Sequence, residues 1–367
     1  MGAPALFANL GAEEGEGWPR MAAHPRVRAA ARLWTGLFAA GARAVGPAAP
    51  PCDGLLAPFD ADPLPAFGFC DAGEQLFPWL ATAEAGEWAR RERLPLASAS
   101  PEVVARVHDK GFALAAAREA GLEPAELAGA ALALAPDELD TADAVRCRVE
   151  AEVARWPEPL RARFVLKPRL GTSGRGRLEG RGGALDPEAL RGALPRFRER
   201  GGFVVEPWLE RIEDLSAQLW IGADGAPVVL GTVRQALTPG GVPLGHRGEL
   251  ADDDTVRSGS HWDEELRVAA RAVGRAAAAY GFRGACGVDA FSYRGPDGRE
   301  RLRPVVELNA RFTAGTSALG VLARAQRLGL LRGRRVFHLG VAPGLAEPSA
   351  ERLALLAGDP DTALWLA

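Results

Sequence analysis

Residues 164–176 read FVLKPRLGTSGRG, an apolar run that ends in Lys167 and continues into a segment with three glycines. The apolar run predicts a strand, and the glycines predict a loop after it. Glycines let backbone N–H groups approach phosphate oxygens, and the hydroxyls of Thr172 and Ser173 add donors. We therefore predict a phosphate-binding loop, although its spacing differs from the Walker and dinucleotide motifs and an ordinary hairpin turn is the alternative.

Lysine is rare throughout the chain. The 44 basic residues include only two lysines, Lys110 and Lys167, and the chain has only two asparagines, Asn9 and Asn309. Where arginine serves most positions, a retained lysine indicates a position that needs a compact ammonium group and excludes a planar guanidinium. Both lysines are therefore candidate binding residues, with chance retention as the alternative.

A second motif, VVEPWLE, occupies residues 204–210, where an apolar strand ends in an acid, a proline and a tryptophan. In a functional interpretation this is a hinge, and Glu206 accepts a hydrogen bond from an adenine amino group. The alternative is a strand end with a capping acid.

A third motif consists of GVDAF and VELNAR, two strand-like segments on either side of the hairpin signal GPDG. A hairpin places Asp289 beside Glu307, and the period of two puts Asn309 on the same face as Glu307. Three oxygen ligands at one point suit Mg²⁺, which prefers carboxylates and phosphates. The alternative is a structural ion-pair network with one of three arginines: Arg283, Arg303 or Arg311.

The order of these motifs resembles the ATP-grasp superfamily, and HDKGFALAAAREAG at residues 108–121 is similar to the Asp-Lys pair that begins a helix in that family. The resemblance covers about residues 105–330. It implies a mixed α/β and α+β fold, with a Rossmann-like pre-ATP-grasp domain and a two-lobed ATP-grasp fold of antiparallel sheets. The implied divisions are residues 1–105 (pre-ATP-grasp α/β domain), 106–205 (N-terminal lobe with the phosphate loop), 206–335 (C-terminal lobe with the metal site) and 336–367 (C-terminal extension).

The resemblance implies a role for each matching residue. The cofactors would be ATP and two Mg²⁺ ions, with Mn²⁺ as a substitute. Lys110 and Lys167 would hold the α- and β-phosphates, and the adenosine would meet Glu206 and the residues after it. The metal ligands would be Asp289, Glu307 and Asn309. The remaining nucleotide-binding candidates are Gly171, Thr172, Ser173, Gly174 and Gly176 over the β- and γ-phosphates, Trp208 and Leu209 near adenine, and Asp214 near the ribose.

The implied reaction is an ATP-dependent ligation through an acyl phosphate, with a small carboxylate and an amine, such as amino acids or peptides, as substrates. Arg311 would stabilise the tetrahedral intermediate or the transferring phosphoryl group, with a salt bridge as the alternative. Arg234, next to Gln235, would orient the substrate carboxylate. The loop at residues 240–248, which contains His246, would close over the substrate or be an ordinary surface loop. The alternatives in function are a phosphotransferase and a non-catalytic ATP-binding protein.

The composition limits the classes of partner that we expect. The chain has 367 residues, 47% hydrophobic and 25% charged, and a net charge of −3, which suits a globular protein of two or three domains. Because no basic region stands out, we expect no nucleic-acid partner. No signal peptide and no apolar run of about 20 residues is present, so we expect no membrane span and a cytoplasmic protein with reduced cysteines. A homodimer is compatible with the resemblance, and Met21 is an alternative start.

Local patterns also predict elements outside the motifs. Residues 66–70 predict a strand, residues 76–91 a helix, and the alanine-rich residues 125–160 mainly helix. Residues 316–331 predict a further helix, whose N-terminus would point at a carboxylate or phosphate, with an ordinary helix cap as the alternative. The tail at residues 333–367 predicts one strand and a short helix.

Overall fold

A computed structural model describes residues 3–38, 41–46, 57–59, 62–71, 73–171, 175–238, 243–341, 349–356, 359 and 361–367. The N-terminal unit contains a small parallel sheet in the order β2-β1-β3. Its elements are β1 (Ala5–Phe7), α1 (Trp18–Ala22), α2 (Pro25–Thr35), β2 (Arg43–Val45), β3 (Leu76–Pro78) and α3 (Ala83–Glu92). Ligands commonly meet such sheets at the carboxyl ends of the strands, and the chain after β1 runs towards the site described below.

The next unit is built around an antiparallel sheet in the order β4-β7-β5-β6. Its elements are α4 (Pro101–Val107), α5 (Lys110–Glu119), β4 (Leu132–Leu134), α6 (Ala142–Ala154), α7 (Glu158–Arg161), β5 (Arg163–Pro168), β6 (Leu178–Arg181), α8 (Pro187–Glu199) and β7 (Phe203–Pro207). The valine face of α6 and the Leu190–Phe197 face of α8 pack on one side of the sheet, in a core with Phe164 and Leu166. The helical period of these apolar residues explains why both segments fold as helices on the sheet.

A large, mainly antiparallel sheet follows, in the order β13-β12-β8-β9-β11-β10-β14-β16-β15. Its elements, with two helices, are β8 (Arg211–Ile221), β9 (Pro227–Leu237), β10 (Pro243–Leu250), β11 (Val256–Arg257), α9 (Asp263–Ala279), β12 (Gly284–Arg294), β13 (Glu300–Asn309), α10 (Ala314–Arg327), β14 (Val336–Val341), β15 (Glu351–Ala354) and β16 (Thr362–Leu366). The α9 face from Leu266 to Ala277 joins the largest core cluster, which also contains Trp34 from α2 and Phe312. This cluster connects the N-terminal unit to the large sheet.

The predicted fold class is confirmed: a parallel α/β unit precedes two units with antiparallel sheets. The four-stranded sheet ends at Pro207 and the large sheet begins at Arg211. The domain limits given above stay predictions.

Three local predictions are wrong, and a fourth, mainly helix at residues 125–160, is confirmed except for one short strand. Residues 66–70 contain no strand, and a 3-10 helix covers Gly68–Asp71. The prediction failed because a five-residue apolar run does not distinguish a strand from a helical turn. The helix predicted at 76–91 is β3 followed by α3, which Thr82 caps. Residues 125–160 include β4, whose pairing with β7 overrides the helix propensity of alanine. The tail forms β14, β15 and β16, all in the large sheet, where the sequence predicted one strand and a helix.

No helix in the described residues combines the length and the apolar character needed to cross a bilayer.

Candidate functional site

A cavity of about 1460 Å³ lies between the three sheet units. This volume exceeds the 300–1,000 Å³ that ordinary small-molecule pockets occupy, so the cavity has room for more than one ligand. Strands β8, β9, β12 and β13 form its floor, and the N-terminal unit and β5 contribute its walls. The candidate residues that line it are Lys110, Lys167, Gly171, Trp208, Leu209, Asp214, Arg234, Asp289, Glu307, Asn309 and Arg311.

The predicted metal trio meets at one point on the floor. Asp289 and Glu307 lie directly opposite each other in the β12–β13 ladder. The side-chain nitrogen of Asn309 donates to Oδ2 of Asp289 at 2.9 Å. On the other side, the ammonium of Lys110 lies 2.9 Å from Oε2 of Glu307 and donates to the carbonyl of Gly171 at 2.8 Å. One lysine thus connects the metal trio to the phosphate loop.

The charges in this trio are unequal. Burial raises the pKa of Glu307, but the ammonium of Lys110 outweighs it and holds the pKa at about 2. Burial, followed by the negative charge of Glu307, raises the pKa of Asp289 to about 7. Two adjacent buried carboxylates of this kind repel each other, and a bound cation would relieve that repulsion.

The donor set fits Mg²⁺. All the available atoms are hard oxygens from two carboxylates and an amide, which Mg²⁺ accepts together with phosphate oxygens. Among the described residues no group of three or more His, Cys, Asp or Glu is placed to hold a metal, so a metal here depends on the Asn309 amide as the third ligand. The amide oxygen of Asn309 already accepts from Arg311 at 3.1 Å, and its second lone pair remains for a cation.

The second lysine belongs to a buried ion-pair triad. Lys167, at the end of β5, contacts Oε1 of Glu206 on β7, and Arg303 donates to Oε2 of Glu206 at 2.6 Å. Only 6% of the Glu206 side chain is exposed. Burial raises the pKa of Glu206, but Arg303 and then Lys167 outweigh it and lower the pKa to about 2. The side chain of Glu206 is therefore an ion-pair partner of Lys167 and lies outside the cavity lining. Its predicted contact with adenine stays a prediction.

The Glu206 triad leads to a prediction about stability. The Glu206→Gln variant leaves Lys167 and Arg303 partly unpaired, and we expect a loss of about 3–5 kcal/mol in the free energy of unfolding. Because the folded pKa of about 2 lies below the reference value of 4.5, the carboxylate stabilises the fold fully above pH 4.5. The difference between wild type and variant should therefore shrink as the pH falls from 4.5 towards 2.

Urea denaturation monitored by circular dichroism at several pH values measures this difference. The matched control is Glu179→Gln, because Glu179 makes an exposed ion pair with Arg163 at 3.2 Å, and such pairs contribute less than about 1 kcal/mol. Equal losses in the two variants would contradict the triad's role.

Comparisons with known proteins agree with this geometry at the level of the fold. No family model and no curated protein matches the chain. Among solved structures, a biotin carboxylase from Campylobacter jejuni, solved as a βγ-ATP complex, has a TM-score of 0.51 and 15% identity over 81% of this chain and 72% of its own. A pyruvate carboxylase from Rhizobium etli has a TM-score of 0.54 and 14% identity over 100% of this chain and 35% of its own. A D-cycloserine synthetase has a TM-score of 0.46 and 20% identity over 90% and 99%.

The chain has the ATP-grasp fold. The order of the motifs along the sequence predicted this fold, and the structure brings those motifs to one cavity. The individual roles of the residues stay predictions.

In this ATP-grasp structure the candidate adenosine residues lie at the mouth of the cavity. Two guanidinium groups lie over the ring of Trp208: that of Arg163 is 5.2 Å from the ring centroid, and that of Arg177 is 4.7 Å from it. Asp214 on β8 accepts from Arg211 at 2.6 Å. These contacts hold the walls of the mouth together, and cation–π pairs of this kind give Trp208 a fixed orientation.

The structure describes only part of the predicted phosphate loop. Thr172, Ser173 and Gly174 lie outside the described residues. Gly171 lines the cavity, whereas Gly176 lies outside its lining, with φ of 70° and Arg196 so close that a Cβ atom would lie 2.9 Å from Cδ of Arg196. The positive φ favours glycine at position 176, whereas the flexible Arg196 side chain could move to make room.

The two candidate catalytic arginines already have partners. Arg311 forms an ion pair with Glu13, which follows β1, and donates to the carbonyl of Phe312 at 2.9 Å. Arg234 lies 3.1 Å from a carboxylate oxygen of Glu213. Each arginine is thus held over the cavity by an acid, so a substrate carboxylate would compete with or bridge to these partners.

Sequence reasoning missed two residues and misplaced a third. Glu13 has no motif around it and reaches Arg311 only through the tertiary fold. His108, whose Nδ1 accepts from the Ala310 amide at 3.1 Å, fastens the start of α5 to β13; its position just before Asp109 and Lys110 was the available signal. His246 lies in strand β10, which begins at Pro243, so the loop predicted at residues 240–248 extends too far; residues 239–242 lie outside the described part.

The predicted helix near residue 316 begins at Ala314, and Thr313 is its N-cap. The Thr313 hydroxyl accepts from the amide of Thr316 at 3.1 Å and also donates to Gln218. This helix start also lines the cavity, where an anion could reach it. Its role in binding an anion stays a prediction.

Proposed function

We propose that the protein is an ATP-dependent carboxylate–amine ligase that forms an amide bond through an acyl phosphate and releases ADP and phosphate. One observation carries the proposal: Lys110, Lys167 and the Asp289–Glu307–Asn309 trio, which lie far apart in sequence, all line a single cavity. The ATP-grasp fold supports it, because the similar structures include a biotin carboxylase solved as a βγ-ATP complex.

In the proposed enzyme each part of the cavity has a task. Lys110 and Lys167 bind the α- and β-phosphates of ATP, and Glu206, Trp208 and Leu209 are close to the base. Asp289, Glu307 and Asn309 hold two Mg²⁺ ions, which neutralise charge on the phosphates when bound. Both lysine side chains are more than four-fifths buried. Because little water surrounds them, their attraction for the phosphate charges is strong.

The proposed chemistry has two steps. A carboxylate oxygen of the first substrate attacks the γ-phosphorus, the bond to the β-phosphate oxygen breaks, and ADP leaves. The amine nitrogen of the second substrate then attacks the acyl carbon, phosphate leaves, and the nitrogen loses a proton. Arg311, held over Asn309, stabilises the transferring phosphoryl group or the tetrahedral oxyanion, and Arg234 orients the substrate carboxylate.

Hydroxylamine provides a direct test, because it traps acyl phosphates as hydroxamates. We expect the purified chain, with ATP, Mg²⁺ and a panel of amino acids, short peptides and simple carboxylates, to give hydroxamate, ADP and free phosphate in equal amounts. The Asp289→Asn variant should give none. A phosphorylated acceptor without hydroxamate or free phosphate would contradict the ligase and support a phosphotransferase. Tight ATP binding without any turnover would support a non-catalytic role.

A further inference from the structure

The end of the cavity farthest from the metal trio is apolar. Helix α2 contributes Val27, Ala30 and Leu33 to its lining, and β14 contributes Leu339 and Val341. Strand β10 lies three strand spacings, or roughly 14 Å, from β12, the strand that carries Asp289. The nucleotide roles proposed above use residues at the other end, so this apolar end is left for the substrates.

A buried histidine, His246, lies in this apolar end. His246 is 6% exposed, lines the cavity, and is paired in register with Gln235 on β9 and Leu339 on β14. Among the described residues its Nδ1 has no hydrogen-bond partner. Burial lowers the pKa of His246 to about 4, so the ring is neutral at neutral pH and offers one donor and one acceptor. Buried polar atoms of this kind normally have a partner, and a ligand group is a natural one.

A polar path connects His246 to the metal trio. Gln235, the register partner of His246, donates from Nε2 to Oδ1 of Asp289 at 2.7 Å. A substrate whose reacting group lies at the trio can therefore follow the sheet face past Gln235 and end at His246. The cations near this end, Arg26 and Arg247, are exposed at the rim and remain hydrated, so they contribute little to binding a buried charge.

We propose that the apolar end binds the remote part of one ligase substrate: a flexible aliphatic segment that ends in an uncharged hydrogen-bonding group, such as a hydroxyl or an amide, in contact with His246. The proposal names the substrate class of the ligase and therefore rests on the function proposed above. The reacting end of this substrate is either the carboxylate or the amine.

A matched series of probes tests the segment. The carboxylate arm uses pentanoate, hexanoate, 6-hydroxyhexanoate and adipate, and the amine arm uses hexylamine and 6-amino-1-hexanol. Binding to the full chain with ATP and Mg²⁺ is measured by calorimetry, and hydroxamate formation is measured for the carboxylates. In the arm that carries the segment, we expect the hydroxyl compound to bind at least about tenfold tighter than its methyl analogue. If that arm is the carboxylate arm, adipate should bind weakest, and each added methylene should strengthen binding about fourfold.

Two variants locate the effect. His246→Leu should remove the preference for the hydroxyl while retaining the dependence on chain length. Ala30→Leu, which fills the apolar end, should weaken the six-carbon probes at least about tenfold and leave ATP binding unchanged. The control is His338→Asn, because His338 is equally buried, pairs with Arg247 one register position away, and lies outside the cavity lining. Thermal unfolding of each variant confirms that it folds.

The outcomes separate the two proposals. A preference for adipate, a hydroxyl preference that survives in His246→Leu, or no binding by any probe in either arm would overturn the assignment of the apolar end. Binding that follows the expected pattern, without hydroxamate or phosphate release, would overturn the ligase and leave the assignment of this end in place.

Discussion

The Lys167→Ala variant is expected to lose at least about 100-fold in ATP turnover. Lys167 is one of two lysines in the chain, its side chain is only 16% exposed, and it ends β5 at the cavity wall. Burial lowers its pKa, and the charge of Glu206 opposes this effect, so the ammonium is retained by its partner. Without the lysine, the phosphates would lose this ammonium, and Glu206 would keep only Arg303 as its cationic partner.

Measurement of ADP release and of ATP affinity by calorimetry checks this expectation. Lys167→Met, which keeps the aliphatic stem, should lose as much activity as the alanine variant while packing better. Arg181→Ala is the control, because Arg181 is an exposed cation in the same sheet and lies outside the cavity lining. Full turnover by a folded Lys167→Ala protein would remove the main support for the nucleotide site.

The Glu307→Gln variant is expected to raise the Mg²⁺ concentration for half-maximal activity at least about tenfold. Lys110 keeps the pKa of Glu307 at about 2, so this residue is ionised at every pH at which the enzyme is assayed. The substitution therefore removes a full negative charge beside Asp289 and leaves Lys110 without its anionic partner. The loss should be greater for the metal requirement than for stability, since a neutral glutamine still fills the same space.

A Mg²⁺ titration of ADP release at fixed ATP tests the second expectation, with Mn²⁺ as a second metal. Glu300→Gln is the matched control: Glu300 begins the same strand and accepts from the indole of Trp262 at 3.1 Å, away from the cavity. An unchanged Mg²⁺ titration in Glu307→Gln would show that the acid pair serves the fold and not a metal.

Sequence patterns located the charged and polar residues that line the cavity better than its apolar walls. Lys167, Asp289 and Asn309 were found because rare residues and strand periodicity mark them locally. Glu13 and the apolar end at Leu339 were not found, because their neighbours in space come from segments hundreds of residues away. The prediction for the tail was wrong for the same reason. Strand β16 forms because β14 and β15 pair with it, and its own five residues do not specify a strand.

The sequence by itself determined the three motif types, their order and the local strands and turns that carry them, since backbone periodicity and turn residues act over a few positions. The tertiary structure alone decided which charges meet. Lys110 was predicted to hold phosphate, and the fold also gives it Glu307; Glu206 was predicted to bind adenine, and the fold gives its side chain Lys167 and Arg303. Such pairings depend on how separate sheets pack, because the interaction between two charges depends on their distance and burial, and neither can be read from sequence separation.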